Sequence, residues 1–317
     1  TYTLTNLQSY HSGSYRALVT ANGVVTPTAS TVISVAGSPS SEARLMNLST
    51  RGLSLTGVDG LFPGFVIEGT GTKQLLIRAV GPTLGAFGVE GTLADPGMTL
   101  KRYDASVSAY VDVATNNDWS TSSNAADIIT TAARVGAFSL TENSADAALL
   151  VDLEPGQYSV VTTSPDDSTG VAIVELYDAD IASASSRLLN ISTRGFIGTG
   201  SEIMVSGFVI SEEGPRTVLV RAVGPGLETF GVSGVLANPR LTLYQDGEAV
   251  LENDDWSNSA DAANISTVAS EVGAFALEAG SLDAAFVATL APGSYTVQAE
   301  GVDSGTGVAI IELYQVP

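Results

Sequence analysis

The sequence has no cysteine and only one histidine, His11. The missing cysteine excludes disulfides and cysteine-ligated zinc, and one histidine cannot build a histidine metal centre. Because His11 lies near the N terminus, the rest of the chain cannot assemble a Ser-His-Asp relay. Carboxylates are plentiful, so no single pair stands out as a glycosidase site. We therefore expect a protein that is not an enzyme and that requires no cofactor.

Basic residues and long apolar runs are also scarce. The chain has 13 Lys and Arg against 34 Asp and Glu, and its net charge of −21 repels phosphate backbones. No apolar run approaches the roughly 20 residues of a membrane helix. Nucleic acid and membrane spans are therefore not expected. Little lysine with abundant Asp, Ser, Thr and Gly is typical of secreted bacterial proteins, which predicts an extracellular or cell-surface location.

The chain contains an internal repeat. The segments 47–52 and 78–82 return as 190–195 and 221–225, displaced by 143 positions (194 − 51). Asp118-Trp119 returns as Asp255-Trp256, displaced by 137 positions (256 − 119). The change of offset puts six extra residues in the first copy, between Tyr103 and Asn116. Since loops absorb insertions cheaply, the first copy should carry a longer hairpin.

Each copy alternates short β-branched segments with turns, which predicts an all-β chain of tandem antiparallel β-sandwich repeats with a jelly-roll-like arrangement. The predicted repeats are 43–179 and 186–317, with linkers at 38–42 and 180–185. Two segments, Ala125 to Val135 and Ala262 to Val272, are predicted as short helices that cover a sheet edge or one end of the barrel.

Residues 1–37 carry a different pattern, with His11-Ser12-Gly13-Ser14-Tyr15 followed by a strand-turn-strand through Asn22-Gly23. This resembles the E, F and G strands of a bacterial immunoglobulin-like domain, although Ala17 replaces the usual Cys. The resemblance implies a tyrosine corner at Gly13 and Tyr15. Such a sandwich needs about seven strands. Either residues upstream or another subunit would complete it. The second alternative predicts oligomers or fibres that are lost when residues 1–35 are deleted.

Two loops rich in Asn and Asp follow equivalent strands. Calcium prefers six to eight oxygen ligands, which such loops can supply, whereas the competing interpretation is an Asx-turn. The loops also resemble the acidic loop of pre-peptidase C-terminal-type jelly-roll domains, some of which hold calcium. The candidate ligands are Asn116, Asn117, Asp118, Asp246, Asn253, Asp254 and Asp255.

Four arginines recur as pairs inside apolar segments. We expect them to be held by buried acids that recur with them, and the alternative is carboxylate or sugar recognition. The predicted structural ion pairs involve Arg51, Arg78, Arg194 and Arg221 with Asp146, Glu175, Asp283 and Glu312.

Trp119 and Trp256 are candidates for stacking on sugar rings, or else for closing one end of a core. The whole repeat is similar to a domain that recurs beside immunoglobulin-like modules in large secreted bacterial proteins. The leading hypothesis is a structural protein of a surface, sheath or filament that polymerises with itself by module stacking and strand completion. The alternative is a carbohydrate-binding or adhesive module that grips polysaccharide.

Overall fold

The structure is a computed structural model that describes residues 43–57, 60–180 and 186–316, and the backbone of four short strands before them. Those strands are β1 (Gly13–Tyr15), β2 (Leu18–Ala21), β3 (Val24–Pro27) and β4 (Thr31–Ile33). β1 pairs with β4, and β2 pairs with β3 so that Ala21 faces Val24 across the predicted Asn22-Gly23 turn. Gly13 and Tyr15 lie in β1, but the side-chain contacts of a tyrosine corner and the linker at 38–42 lie outside the described residues.

The remaining strands confirm the all-β, antiparallel class. The first repeat forms β5 (Leu45–Ser54), β6 (Phe62–Gly69), β7 (Lys73–Val80), β8 (Gly97–Asp104), β9 (Ala109–Asn116), β10 (Ala147–Leu153), β11 (Gly156–Thr163) and β12 (Gly170–Asp178). The second repeat forms β13 (Ser186–Ile197), β14 (Met204–Ile210), β15 (Arg216–Val223), β16 (Pro239–Gln245), β17 (Glu248–Asn253), β18 (Ala284–Leu290), β19 (Gly293–Gly301) and β20 (Gly307–Gln315).

These strands form one 16-stranded sheet, in which the first strand of each repeat pairs with strands of both repeats. One row runs β10-β7-β12-β5-β14-β19-β16-β17, so that β5 joins its own β12 to β14 of the second repeat. The other row runs β18-β15-β20-β13-β6-β11-β8-β9, and β13 joins β20 to β6 of the first repeat. We call this arrangement the strand exchange.

The two rows meet at a pseudo-two-fold axis between β5 and β13. Leu53 pairs with Phe196, which stands at the equivalent position of the second repeat. Gly195 leaves room for two core side chains, because a Cβ atom there would lie 2.7 Å from Leu61 Cδ2 and 2.9 Å from Met204 Cε. A single apolar cluster therefore includes residues of both repeats.

This topology combines the two predicted repeats in one sheet. The segments 43–179 and 186–317 are repeats in sequence, but the strands of each are divided between both rows. The repeats consequently associate through hydrogen-bonded strands and not by stacking of closed modules. Most of the predicted linker, residues 181–185, lies outside the described part of the chain.

Two helices, α1 (Ala125–Arg134) and α2 (Ala262–Glu271), end one residue before the predicted ends. Each helix packs on the last two strands of a row, α1 on β7 and β10 and α2 on β15 and β18. Ile128 and Ala132 of α1 pack with Leu76 and Ala148 of β7 and β10. Within the described ranges, no helix has the length and apolar character needed to cross a membrane.

Candidate functional site

Each repeat holds a buried arginine beneath its helix. Arg78 lies on β7 and donates from Nε to Glu175 Oε2 on the neighbouring β12 at 2.9 Å, and Arg221 bonds Glu312 in the same way at 2.7 Å. The structure thus brings these two predicted ion pairs together. Antiparallel register explains the match, since Arg78 and Glu175 are direct cross-strand partners.

The rest of each guanidinium is also occupied. Arg221 donates from Nη1 to the carbonyl of Phe275 at 2.6 Å, and its Cζ lies 4.4 Å from the centre of that phenyl ring. Arg78 contacts Phe138 in the same manner, with Cζ 4.3 Å from the ring centre. Nε and Nη2 of each arginine donate to the same glutamate oxygen, and Nη1 donates to the carbonyl. Three nitrogen atoms and one ring face therefore hold each guanidinium within the fold.

A tyrosine completes each buried ion pair. Tyr177 donates its hydroxyl to Glu175 Oε1 at 2.9 Å, and Tyr314 donates to Glu312 Oε1 at 2.9 Å. Burial, followed by the charge of the adjacent glutamate, raises the pKa of both phenols well above the usual value of 10.0. These hydroxyls therefore remain protonated donors at any physiological pH.

Asp146 and Asp283 do not pair with arginine, which corrects the sequence prediction. Asp146 Oδ1 accepts from the backbone N–H of Gly81 at 2.8 Å, and Asp283 Oδ1 accepts from Gly224 N at 2.9 Å. Both carboxylates therefore fix the Gly-Pro turn that follows β7 or β15. Their charge is balanced by N–H and hydroxyl donors, including Ser281 Oγ at 2.8 Å.

Arg51 and Arg194 also do not join the predicted acids, since Glu175 and Glu312 are occupied by other arginines. Both lie on exchanged strands at half-buried positions between buried neighbours. Arg194 places its Cζ 4.7 Å from the centre of the Phe62 ring, across the β13–β6 ladder. The side chain of Arg194 therefore contributes to contacts between the repeats.

Trp119 and Trp256 are buried, with exposed fractions of 5% and 8%, and do not present a face for sugar stacking. Trp256 Nε1 donates to Ser281 Oγ at 3.1 Å, and Trp119 Nε1 donates to Ser144 Oγ at 3.3 Å. Both indoles belong to the apolar layer between a helix and its sheet. Both side chains fill the space between the helix and the strands beneath it.

A cleft opens beside each indole, between the helix and the segment that follows it. The first cleft has a volume of about 420 Å³ and is lined by Trp119, Ile128 and Leu140, with Glu142 at its rim. The second, beside Trp256, has only about 170 Å³. The first is mainly apolar, and each lining includes an arginine, Arg78 or Arg221, that is hydrogen-bonded within the fold.

Asn116 and Asn253, predicted as calcium ligands, instead connect the edges of facing sheets. Asn116 Oδ1 accepts from Ala148 N at 2.8 Å, and Asn253 Oδ1 accepts from Ala285 N at 2.8 Å. Each amide group thus joins the last residue of β9 or β17 to β10 or β18. Because the amide oxygen already has a backbone donor, its capacity for a cation is reduced.

The other predicted ligands are scattered. Asp246 occupies the turn of the β16–β17 hairpin and Asn253 the opposite end, roughly 15 Å away at about 3.3 Å per residue, so Asp246 cannot complete that shell. Asp255 Oδ2 accepts from Asn258 Nδ2 at 3.1 Å, and Asp254 is exposed. Among the described residues no three acidic or histidine side chains are placed to hold a metal.

One acidic neighbourhood was not predicted from the sequence. Burial, and then the charges of Asp118 and Asp166, raise the pKa of Asp95, while a hydrogen bond from Asn117 lowers it. Asp118 and Asn117 belong to the predicted loop, but Asp95 and Asp166 are distant in sequence. Asn238 replaces Asp95 in the second repeat, so comparison of the two copies gives no signal for this residue.

The hairpin of β8 and β9 is the second surface that the sequence did not single out as functional. All residues from 105 to 113 are exposed, including Val107, Tyr110, Val111 and Val113. Tyr103 and Tyr110 pack edge to face across the hairpin with ring centres 5.5 Å apart. The longer hairpin predicted for the first repeat thus exposes more large apolar side chains than the β16–β17 hairpin, where Val250 is exposed.

Comparison with known proteins gives no family. No protein-family model matches the chain, and no curated protein matches it. A solved structure of a DUF4785 family protein from Legionella pneumophila aligns with 86% of this chain and 81% of that chain, at 9% identity and a TM-score of 0.26. At that score the likeness supports no conclusion about fold or function.

Proposed function

We propose that this chain is a structural, non-catalytic building block of an extracellular assembly, such as a surface layer, sheath or filament, and that it associates with further copies of itself. The observation that carries the proposal is the strand exchange. To separate the two repeats, the β5–β14 and β13–β6 ladders must both break. A pair of sandwiches joined only by a flexible linker would have no such resistance.

The residues that recur in both repeats support the same function. The arginine–glutamate pairs, the aspartates of the Gly-Pro turns, the buried indoles and the asparagines at the sheet edges are all satisfied inside the fold. In an enzyme or a ligand-binding module, some recurring polar groups would face a site. In this chain the recurring polar groups form hydrogen bonds that stabilise the fold.

The test is assembly of the purified chain. Sedimentation velocity over a wide concentration range and electron microscopy of negatively stained samples should reveal oligomers whose proportion rises with concentration. A chain that stays monomeric under all these conditions would defeat the proposal. Glycan arrays test the alternative of a carbohydrate-binding module, and saturable binding without self-association would favour that alternative instead.

A further inference from the structure

β9 is an open edge of its eight-stranded row. It pairs with β8 on one side, and within the described ranges no strand pairs with its other side. An edge strand presents unpaired N–H and C=O groups that can bind another strand, and proteins usually protect such edges with charge or cover them. Here Tyr110, Val111 and Val113 have exposed fractions of 47%, 40% and 46%. The edge is therefore apolar and uncovered.

Only part of this edge is available. At its C-terminal end, Asn116 bonds β10 and joins the edges of the two sheets. The register with β8 shifts between Leu100 and Lys101, so that Val113 is an extra residue at a β-bulge. The open segment therefore runs from Ala109 to Val113. Most of it lies between the bulge and the hairpin turn, in the part of the hairpin that is longer than in the second repeat.

Charge indicates which partner this segment accepts. Copies of a chain with a net charge of −21 repel each other, and they can approach best where the local charge is balanced. Residues 97–116 contain two basic and two acidic residues, and Lys101 pairs with Asp112. Residues 239–253 of the other hairpin contain one basic and three acidic residues, two of them the glutamates of β17. The first hairpin is thus suited to a second copy, and the other is protected.

We propose that two copies of the chain associate by antiparallel pairing of β9 with β9 over residues 109–113. Pairing centred on Val111 places Asp112 of each strand opposite Tyr110 of the other. Pairing centred on Asp112 would instead place two carboxylates face to face, which is destabilising. The contact joins two eight-stranded rows into one continuous sheet.

The contact deepens the proposed function and rests on it, because it assigns the partner and the surface of self-association. Five residues span roughly 17 Å, which is short compared with stable interfaces of about 1,200–2,000 Å². We therefore expect a weak dimer. A two-fold contact also closes after two copies, so a filament needs a second, different contact.

The absence of cysteine allows a direct test. Val111→Cys places one thiol per chain at the centre of the pairing, where antiparallel partners lie within the Cα separation that a disulfide requires. Val250→Cys on β17 is the matched control, since it is similarly exposed on the other hairpin. Oxidation should convert Val111→Cys to a covalent dimer at least tenfold faster than the control. Equal rates for the two variants would overturn the β9 contact.

A second pair of variants separates this inference from the proposed function. Val111→Lys adds a charge to the edge. Removal of the six extra residues gives this hairpin the length of the β16–β17 hairpin, a length that the second repeat already has. Both should weaken dimerisation at least tenfold in sedimentation equilibrium. If they assemble like the parent chain, self-association stands and the β9 contact fails. If the parent itself never assembles, both proposals fail.

Discussion

Thr50 and Thr193 occupy the same position in the two repeats, and their hydroxyl groups are hydrogen-bonded to each other at 2.9 Å. Both are buried, and Thr50 Oγ1 also lies 3.0 Å from Ser206 Oγ. The pseudo-two-fold axis thus passes through a polar contact inside an otherwise apolar core. The recurring Asn-x-Ser-Thr-Arg-Gly segment is therefore one part of each repeat that contacts the other.

Thr50→Val should destabilise the fold more than Thr193→Val. Thr50 takes part in both hydroxyl contacts, so its loss leaves two buried groups without this partner, at a cost of about 1–3 kcal/mol. The double variant should cost less than the sum of the two, because they share one bond. Urea unfolding measures these free energies. Thr217→Val, in the half-buried Thr217–Thr289 pair, is the control, and a larger effect there would contradict the prediction.

Gly81→Ala and Gly224→Ala should each be severely destabilising. A Cβ atom at Gly81 would overlap the carbonyl oxygen of Leu93, and one at Gly224 would overlap that of Leu236. Because these are backbone atoms, relief requires movement of a whole turn, and we expect a loss of more than about 3 kcal/mol. Gly85→Ala is the control, since open space surrounds it. Thermal unfolding that ranks the three variants equally would refute this account.

Glu175→Gln should cost about 3–5 kcal/mol, because it leaves the buried Arg78 without its carboxylate. Glu312→Gln should behave alike, since the second repeat has the same geometry. The control is Glu68→Gln in the exposed ion pair with Arg187, where a change within about 1 kcal/mol is expected. Denaturant titration distinguishes them, and a mild effect at Glu175 would mean that the pair is not essential to the core.

Alkaline pH should weaken the fold through Tyr177 and Tyr314. The pKa of both phenols is raised in the folded state, whereas in the unfolded chain it has its ordinary value of 10.0. As the pH rises above 10, the unfolded chain therefore loses these protons before the folded protein does. Stability is then fully present below pH 10 and falls as pH rises above it. Unfolding curves across this range check the slope. The Tyr177→Phe/Tyr314→Phe variant should flatten it, and an unchanged slope would assign the effect to other groups.

Calcium removal should leave the melting temperature unchanged. The amide oxygens of Asn116 and Asn253 are already bonded to backbone N–H groups, which reduces what they can offer a cation. Melting curves with chelator and with added calcium provide the measurement. Added magnesium at equal ionic strength controls for general screening. A rise specific to calcium would show that the acidic loops bind it.

Internal repetition explains which features the sequence revealed. Arg78 and Glu175 could be predicted as partners because both recur at matching places, and α1 and α2 could be located because turn residues bound them in both copies. The strand exchange could not be predicted for the same reason. β6 and β14 are equivalent segments, so the sequence pattern of β5 fits either as a partner.

The role of Asn116 depends on the orientation of its side chain. Spacing shows that Asn116 lies in a polar turn, but it does not reveal whether the amide faces solvent or a neighbouring N–H group. One signal was available for Arg51: it stands between Thr50 and Gly52 on an alternating strand, so its side chain points away from their buried face. That alternation separates it from Arg78, which lies in a continuous buried run.

The strand exchange also has an evolutionary consequence. In a shorter ancestral polypeptide with one copy of the repeat, the first strand of each copy would have paired with the second strand of an identical molecule. Two such copies would form a homodimer with true two-fold symmetry. Gene duplication and fusion would turn that dimer into one chain and make its formation independent of protein concentration. Each half could then diverge separately, and the different lengths of the β8–β9 and β16–β17 hairpins are one such difference.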